Sequence, residues 1–513
     1  MEALSSKKTF LPSYWKFIWN TPENRNLLWF AAGASGFLFI IFKVFYPYPD
    51  FFSDSYSYIY AAYTNLNINI WPIGYSKFLS LFHRVTYSDT ALIAFQYFTL
   101  QLSALHFLFT ICYFFKLSEW TRNVIAVFLF INPLTLYLCN TINSDALFAT
   151  LSLLWLSELI WIVYCPMFYQ LLTQSLLLFL CFTIRNNAYY YPLVSAVALI
   201  ISSQSKIRKI IGIVLPSLMI ISFILFTREA AFKLTGTRQF SLFTGWQLAN
   251  NALYIYDKVD VDSDIFSSRE AKEINTTSER YFSGIRNHEG YRDFVESYVG
   301  NLYIREPKAP LKQYYAKHYF PKTTLEVVSA WAQVSVVFES FGKPIILSHP
   351  ISYIQYFVLP NIKHYLLPPL SHIGLYNYGT NEIDPIAKLW FHYPTNKIHS
   401  ISAEFQGNLL IIYKFFFFFV NLYFLFNLTF LIYKTKFNLK EFLSKKELPL
   451  VIFFLILNFG FSISTTVNIL RYQYISMIIL VSFTMVLNEY LSQYENDHSL
   501  YSRKRLEKKK VHA

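Results

Sequence analysis

Few side chains in this sequence can do chemistry, and those that can stand beside long apolar stretches. Two carboxylates, Asp50 and Asp54, follow the first such stretch in the run Pro47-Tyr48-Pro49-Asp50-Phe51-Phe52-Ser53-Asp54. Tyr56, Tyr58, Tyr60 and Tyr63 come next, as in a helix lying along a membrane interface. A carboxylate held beside a hydroxyl and partly desolvated can take its proton as a general base. A further acid, Asp145, closes Asn140-Thr141-Ile142-Asn143-Ser144-Asp145 at the start of a later apolar stretch. Two arginines stand at comparable places, Arg185 before Asn186-Asn187 and Arg471 before Tyr472. The planar fork of a guanidinium can hold a phosphate. Each residue has a plainer alternative. Asp54, Ser144 and Asp145 are natural helix N-caps, and an arginine at a helix end can snorkel to lipid headgroups. Two acids and two arginines on one face are harder to dismiss.

The elements that must position them are set by composition. Of 513 residues, 54% are apolar and only 15% charged. Soluble domains carry roughly 25% charged residues, so an ordinary cytosolic enzyme is excluded, and so is a disordered chain. The apolar residues fall in blocks long enough to cross a bilayer core as helices. These blocks lie at about 27–45, 91–115, 123–138, 145–164, 168–183, 188–203, 208–227, 408–433, 448–467 and 472–488. The expectation is an all-α polytopic membrane protein of about ten spans. Its parts would be a segment 1–26, a membrane core 27–227 with a first outside loop 46–90, an outside domain 228–407, further spans in 408–490 and a basic tail 491–513.

Charge gives the sidedness. With the N-terminus inside, the inside segments collect Lys7, Lys8, Lys16, Arg25, Lys116, Arg122, Lys206, Arg208 and Lys209. They also collect Lys434, Lys436, Lys440, Lys445 and Lys446, and the tail adds Arg503, Lys504, Arg505, Lys508, Lys509 and Lys510. The short outside loops hold Lys77, Arg84, Arg185 and Arg471. This is a positive-inside bias, so both termini are expected in the cytoplasm. The net charge of +13 then reflects topology, and no nucleic-acid partner is implied.

Other signals are weaker. Glu158 and His106 lie within spans, where an ionisable group is a functional candidate or a hydrogen-bonded structural one. Lys43 and Lys414, near outer helix ends, are expected to snorkel. The stretch Tyr281–Tyr315 reads as helical, and 345–369 as apolar segments broken by prolines that lie on the membrane surface. Asn275-Thr276-Thr277 fits a glycosylation sequon. Cys112, Cys139, Cys165 and Cys181 show no metal spacing and no disulfide framework. Neither a Gly-rich phosphate loop nor a G-x-S-x-G occurs, which leaves an ATP-driven pump without support.

The order of these features resembles the GT-C superfamily of membrane glycosyltransferases, which includes protein mannosyltransferases and aminoarabinose transferases. The resemblance rests on one span followed by an outside loop with Asp50 and Asp54-Ser55-Tyr56-Ser57-Tyr58. Ile73-Gly74-Tyr75-Ser76 is similar to the family's Gly-Tyr-Pro stretch, with Ser76 in place of Pro. Asn132-Pro133-Leu134, Asn143-Ser144-Asp145, Arg185-Asn186-Asn187 and Arg471-Tyr472 resemble later family landmarks. It implies a polyprenyl-phosphate sugar donor bound from the outer leaflet and a glycan, lipid or protein acceptor. Asp54 would be the general base, with inversion at the anomeric carbon, and Asp50 the reserve. Arg185 and Arg471 would hold the lipid phosphate, Asp145 would orient an arginine or the acceptor, and Tyr56, Tyr58 and Tyr472 would line the substrate. Ser55 stands where many members carry a second acid, so no metal and no cofactor are assigned. The lean is to a bacterial inner membrane. A transporter or flippase of lipid-linked sugars, and an envelope polysaccharide polymerase or ligase, are the competing readings. The transporter predicts inverted repeats and groups near the midplane, whereas no repeat is visible and the charges gather at one mouth.

Overall fold

A computed structural model describes residues 13–285, 300–319, 324–436, 443–465 and 467–511, together with 321 and 438. Lys7, Lys8 and Lys440, counted above, lie outside the described residues, as do 286–299 of the stretch expected to be helical. Among the described residues there is no strand, only isolated bridges between Asp50 and Thr141 and between Glu382 and Lys397.

Local sequence accounts for where the helices start. Tyr14–Asn20 (α1) precedes Pro22–Phe45 (α2), which opens on a proline, the residue that loses nothing in a first turn. Ser53–Tyr63 (α3) and Gly74–His83 (α4) form the first loop. Ser88 caps Asp89–Phe114 (α5), accepting from the Ala91 amide at 3.2 Å. Ser118 caps Glu119–Phe130 (α6) in the same way at 3.3 Å. Asn132 and Pro133 then restart the chain as Pro133–Cys139 (α7), with the Leu134 amide donating to Asn132 at 3.0 Å. Asp145–Tyr164 (α8), Gln170–Ile184 (α9), Tyr191–Ile201 (α10) and Lys206–Thr235 (α11) follow.

Among the described residues, eight helical stretches are long and apolar enough to cross a membrane, where about ten spans are expected. The two segments expected at 168–183 and 188–203 are helices of 15 and 11 residues. At 1.5 Å per residue neither reaches the ~30 Å of a bilayer core. Tyr14 and Tyr494 both lie at the end of the bundle away from the first loop. There Tyr14 packs on Tyr113 and Trp161, and the Tyr494 hydroxyl donates to the Lys434 carbonyl at 2.6 Å.

The segment 228–407 contributes to two hydrophobic cores, and its first residues, to Thr235, continue α11. Thr244–Tyr256 (α12), Arg269–Ile285 (α13) and Thr324–Ser348 (α14) enclose a core of their own around Trp246, Ile274 and Phe338. Leu359–Leu366 (α15) and Pro385–Phe391 (α16) belong instead to the core of the spans, through Tyr365, Tyr376, Trp390 and Phe391. This part is tied to the spans by main-chain bonds from the Ile401 amide to the Phe45 carbonyl at the end of α2 and from the Leu470 amide to the Pro369 carbonyl, each 3.0 Å. Leu347, Ile351, Ile354 and Leu359 are exposed, as a segment resting on a lipid surface would be. Ile412–Lys434 (α17), Glu447–Thr465 (α18) and Tyr474–Val511 (α19) complete the chain.

Candidate functional site

Four elements bring the expected residues together at one end of the bundle. Asp54 lies in the first turn of α3, and Asp145 is the first residue of α8. Arg185 is the extended residue that ends α9, and Arg471 sits in the short helical turn Leu470–Gln473 before α19. Arg471 Nη1 donates to Asp145 Oδ2 at 2.9 Å, and its Nη2 donates to Asp54 Oδ2 at 3.3 Å. Arg185 pairs with the other oxygen of Asp145. The result is a chain of alternating charge, Asp54–Arg471–Asp145–Arg185, with no net charge.

The plainer alternatives do not hold for these side chains. Ser55 accepts from the Phe52 amide at 3.2 Å at the start of α3, which leaves Asp54 to Arg471. Ser144 makes no cap bond and Asp145 turns to the arginines. Neither arginine reaches out to a surface, since the Arg471 side chain is 3% exposed and that of Arg185 11%. Asp145 is equally enclosed at 2%, whereas Asp54 is 18% exposed. Asp54 is therefore the most exposed member of the cluster. Among the described residues only its Oδ2 is engaged.

Aromatic rings close the cluster from the sides. The Tyr472 ring lies 4.5 Å from the Arg185 guanidinium carbon and 4.9 Å from that of Arg471. Phe52 covers Arg471 at 4.9 Å and Phe148 covers Arg185 at 5.8 Å. Such contacts strengthen where water is excluded. Tyr58 stands beside the cluster, its hydroxyl 3.1 Å from Ser144 Oγ, and burial pushes its phenol up.

Two candidates lie elsewhere. Asp50 is 2% exposed and fully engaged, accepting from the Asn377 amide at 2.9 Å and from Gln406 Nε2 at 3.2 Å. Burial pushes its carboxyl up to about 7, although these bonds and Arg471 pull it down. Asp50 thus fastens the outer segment to the first loop. Tyr56 stacks on Phe51 with centroids 6.0 Å apart, and burial pushes its phenol up to about 12.

The remaining signals resolve as structure. Glu158 accepts from Thr173, and the Tyr14 hydroxyl lies 3.2 Å from His106 Nδ1. Lys43 turns to Asn140 at 3.3 Å rather than to a lipid surface. The sequon asparagine, Asn275, is buried inside α13 and bonded to Tyr256 and Glu279, out of reach of glycosylation.

Sequence reading missed Phe52, His372 and Arg305. The His372 ring stacks on Phe52 at 5.2 Å, opposite Arg471, and its Nε2 bonds with Arg305 at 2.7 Å. Burial, with Arg471 and Arg305 nearby, pushes His372 down to about 3, so its ring is neutral and accepts from Arg305. No spacing links residues 52, 305 and 372.

Among the described residues no three His, Cys, Asp or Glu side chains stand close enough to share a metal ion. The cluster offers a carboxylate open to a hydroxyl beside two enclosed guanidiniums, a setting for proton removal next to a bound anion. No family model matches this chain, nor does any curated protein or solved structure compared with it.

Proposed function

We propose that this cluster is the active site of a GT-C-like membrane glycosyltransferase. It would move a sugar from a polyprenyl-phosphate donor to an acceptor hydroxyl on the extracytoplasmic face. The observation that carries this reading is Arg471 shared between enclosed Asp145 and accessible Asp54. Asp145 fixes both arginines, and Asp54 faces the space where an acceptor arrives. In the reaction Asp54 takes the proton of the acceptor hydroxyl. The oxygen attacks the anomeric carbon from the face opposite the phosphate, giving inversion. The bond from that carbon to the phosphate oxygen breaks, and its electron pair leaves on the phosphate. Arg185 and Arg471 meet the growing charge with donors already in place. The scheme uses no metal or cofactor. The setting would be a bacterial inner membrane with both termini cytoplasmic.

The test is release of polyprenyl phosphate from radiolabelled polyprenyl-phosphate sugars by the purified protein, with a panel of acceptors. Arg471→Ala should lower the rate by about a hundredfold or more, the usual loss of a transition-state donor. Asp54→Asn should lower it comparably, the loss of a general base. Unchanged release by Asp54→Asn would remove the assigned base. Movement of the lipid across the bilayer without release would favour the transporter.

A further inference from the structure

The two guanidiniums of the cluster stand on turns that lie far apart in the chain. Arg185 leads into the turn Asn186–Tyr190, its carbonyl accepting the Ala188 amide at 3.1 Å. Arg471 sits inside the turn Leu470–Gln473. Asp145 holds their tips, but like charges repel, and the stems need a tie of their own. One buried side chain reaches both turns. Asn458, on α18, accepts from the Tyr190 hydroxyl at 2.9 Å through Oδ1. Its Nδ2 donates to Gln473 Oε1 and to the Tyr365 hydroxyl, each at 3.3 Å. Both polar atoms of the amide are thus met, which fixes its orientation.

The surroundings argue for more than packing. α18 is long and apolar enough to cross a membrane, and Asn458 is 3% exposed within it. A polar side chain buried in a span is costly unless it is bonded. Phe454, Asn458 and Phe461 share one face of the helix. The Tyr190 ring lies against the two phenylalanines, at 5.7 and 5.8 Å. A leucine would complete that apolar face as well. What only the amide adds is a bonded path from the Arg185 turn, through Tyr190 and Gln473, to the Arg471 turn. Tyr365 extends the path to α15.

We propose that Asn458 is a positioning residue: it sets the spacing of the Arg185 and Arg471 turns, so that both guanidiniums meet one phosphate. The proposal deepens the glycosyltransferase reading and rests on it for the phosphate. Among the described residues Asn458 bonds to neither arginine, and it acts through the turns that carry them. Without it each arginine keeps its bond to Asp145, but the two turns are no longer tied to each other. A misplacement of about 1 Å at a reacting centre can cost a hundredfold in rate.

The experiment uses the full chain in phosphatidylcholine nanodiscs. It measures the Kd of a radiolabelled polyprenyl monophosphate beside the rate of sugar release. Asn458→Leu should weaken binding about tenfold or more, a difference of ~1.4 kcal/mol. The control is Asn427→Leu. Asn427 is likewise buried in a span and donates to Asn488 at 2.7 Å. Asn488 lies roughly 21 Å along α19 from its start, at 1.5 Å per residue. Asn427→Leu should lower the thermal midpoint comparably and leave Kd unchanged. In Arg185→Ala protein, where one donor is gone, Asn458→Leu should add no further loss, because no spacing is left to set. Equal weakening by the two leucine variants would overturn the proposal, as would an Asn458→Leu loss that persists in Arg185→Ala protein. Unchanged binding by Asn458→Leu would do the same. If that variant does not fold, Tyr190→Phe, which keeps the ring and removes its bond to Asn458, takes its place. Binding weakened by Asn458→Leu alone, without sugar release from any protein, would keep the positioning role and remove the glycosyltransferase reading. Sugar release by the natural chain, with Kd alike in both leucine variants, would do the reverse. Neither binding nor release by the natural chain would remove both.

Discussion

At the scale of single residues, the acids of this chain divide by surroundings rather than by type. Asp54 keeps an open oxygen, Asp145 is locked between two guanidiniums, and Asp50 is sealed in a main-chain cradle. The cradle holds a strained turn, since Asn377 and Tyr378 have φ of 45° and 54°, and Asp50 accepts the amide of the first. Burial raises its carboxyl from 3.8 to about 7, so the folded protein holds this proton more firmly than the unfolded chain does. The contribution of Asp50 to stability is then greatest at acid pH and is lost as pH rises from about 4 to about 7. Thermal midpoints in detergent should fall over this window, and Asp50→Asn should flatten the fall. An equal slope in the variant would assign the pH dependence to other groups. The sequence already put Asp54, Asp145, Arg185 and Arg471 on one face, because sidedness depends only on counting spans. It could not pair them. Arg471 and Asp145 are 326 positions apart, and an aspartate that caps a helix reads the same as one that grips an arginine.

At the scale of elements, all ten apolar blocks are helices, but composition does not report how long a helix runs. The chain leaves α9 at Arg185 and turns through Asn186–Tyr190 before α10, so two expected spans are short and lean on their neighbours. Tyr191 illustrates the support, its hydroxyl 2.9 Å from Ser152 and its ring stacked on Trp155 at 4.1 Å. The first loop comes closest to α9 at Gly74. A Cβ on Gly74 would lie 2.6 Å from the Thr183 carbonyl, backbone that cannot swing away as a side chain does. Tyr75 beside it carries the ring of Tyr58 at 5.0 Å, and so steadies α3. Gly74→Ala should therefore push α4 off the end of α9, with a loss of ~1–3 kcal/mol typical of overpacking. Sugar release should drop while the variant still purifies as a folded protein. Full activity at unchanged stability would show that α4 does not position Asp54. In the sequence Gly74 is marked only by its neighbours Ile73, Tyr75 and Ser76, and the packing alone gives the physical reason for a glycine.

At the scale of the whole molecule, the distribution of charge predicts which end faces the cytoplasm. Lys116, Arg122, Lys206, Arg208, Lys209, Lys434 and Lys445 gather at the end where Tyr14 and Tyr494 lie, opposite the cluster. Lysine and arginine in short loops are retained on the cytoplasmic side during insertion. The chain carries its own reporter for this reading. Cys165, between α8 and α9 at the basic end, is exposed, whereas Cys139 and Cys181 are buried and Cys112 is half-buried within α5. Thr64, at the end of α3, is exposed at the other end. In intact cells a membrane-impermeant maleimide should leave Cys165 unlabelled until the membrane is permeabilised. Thr64→Cys in a Cys165→Ser background should be labelled without permeabilisation, with Cys165→Ser alone giving the background. The opposite pattern would place Asp54, Asp145, Arg185 and Arg471 in the cytoplasm. A donor bound from the outer leaflet could then not reach them, because all four depend on the same sidedness.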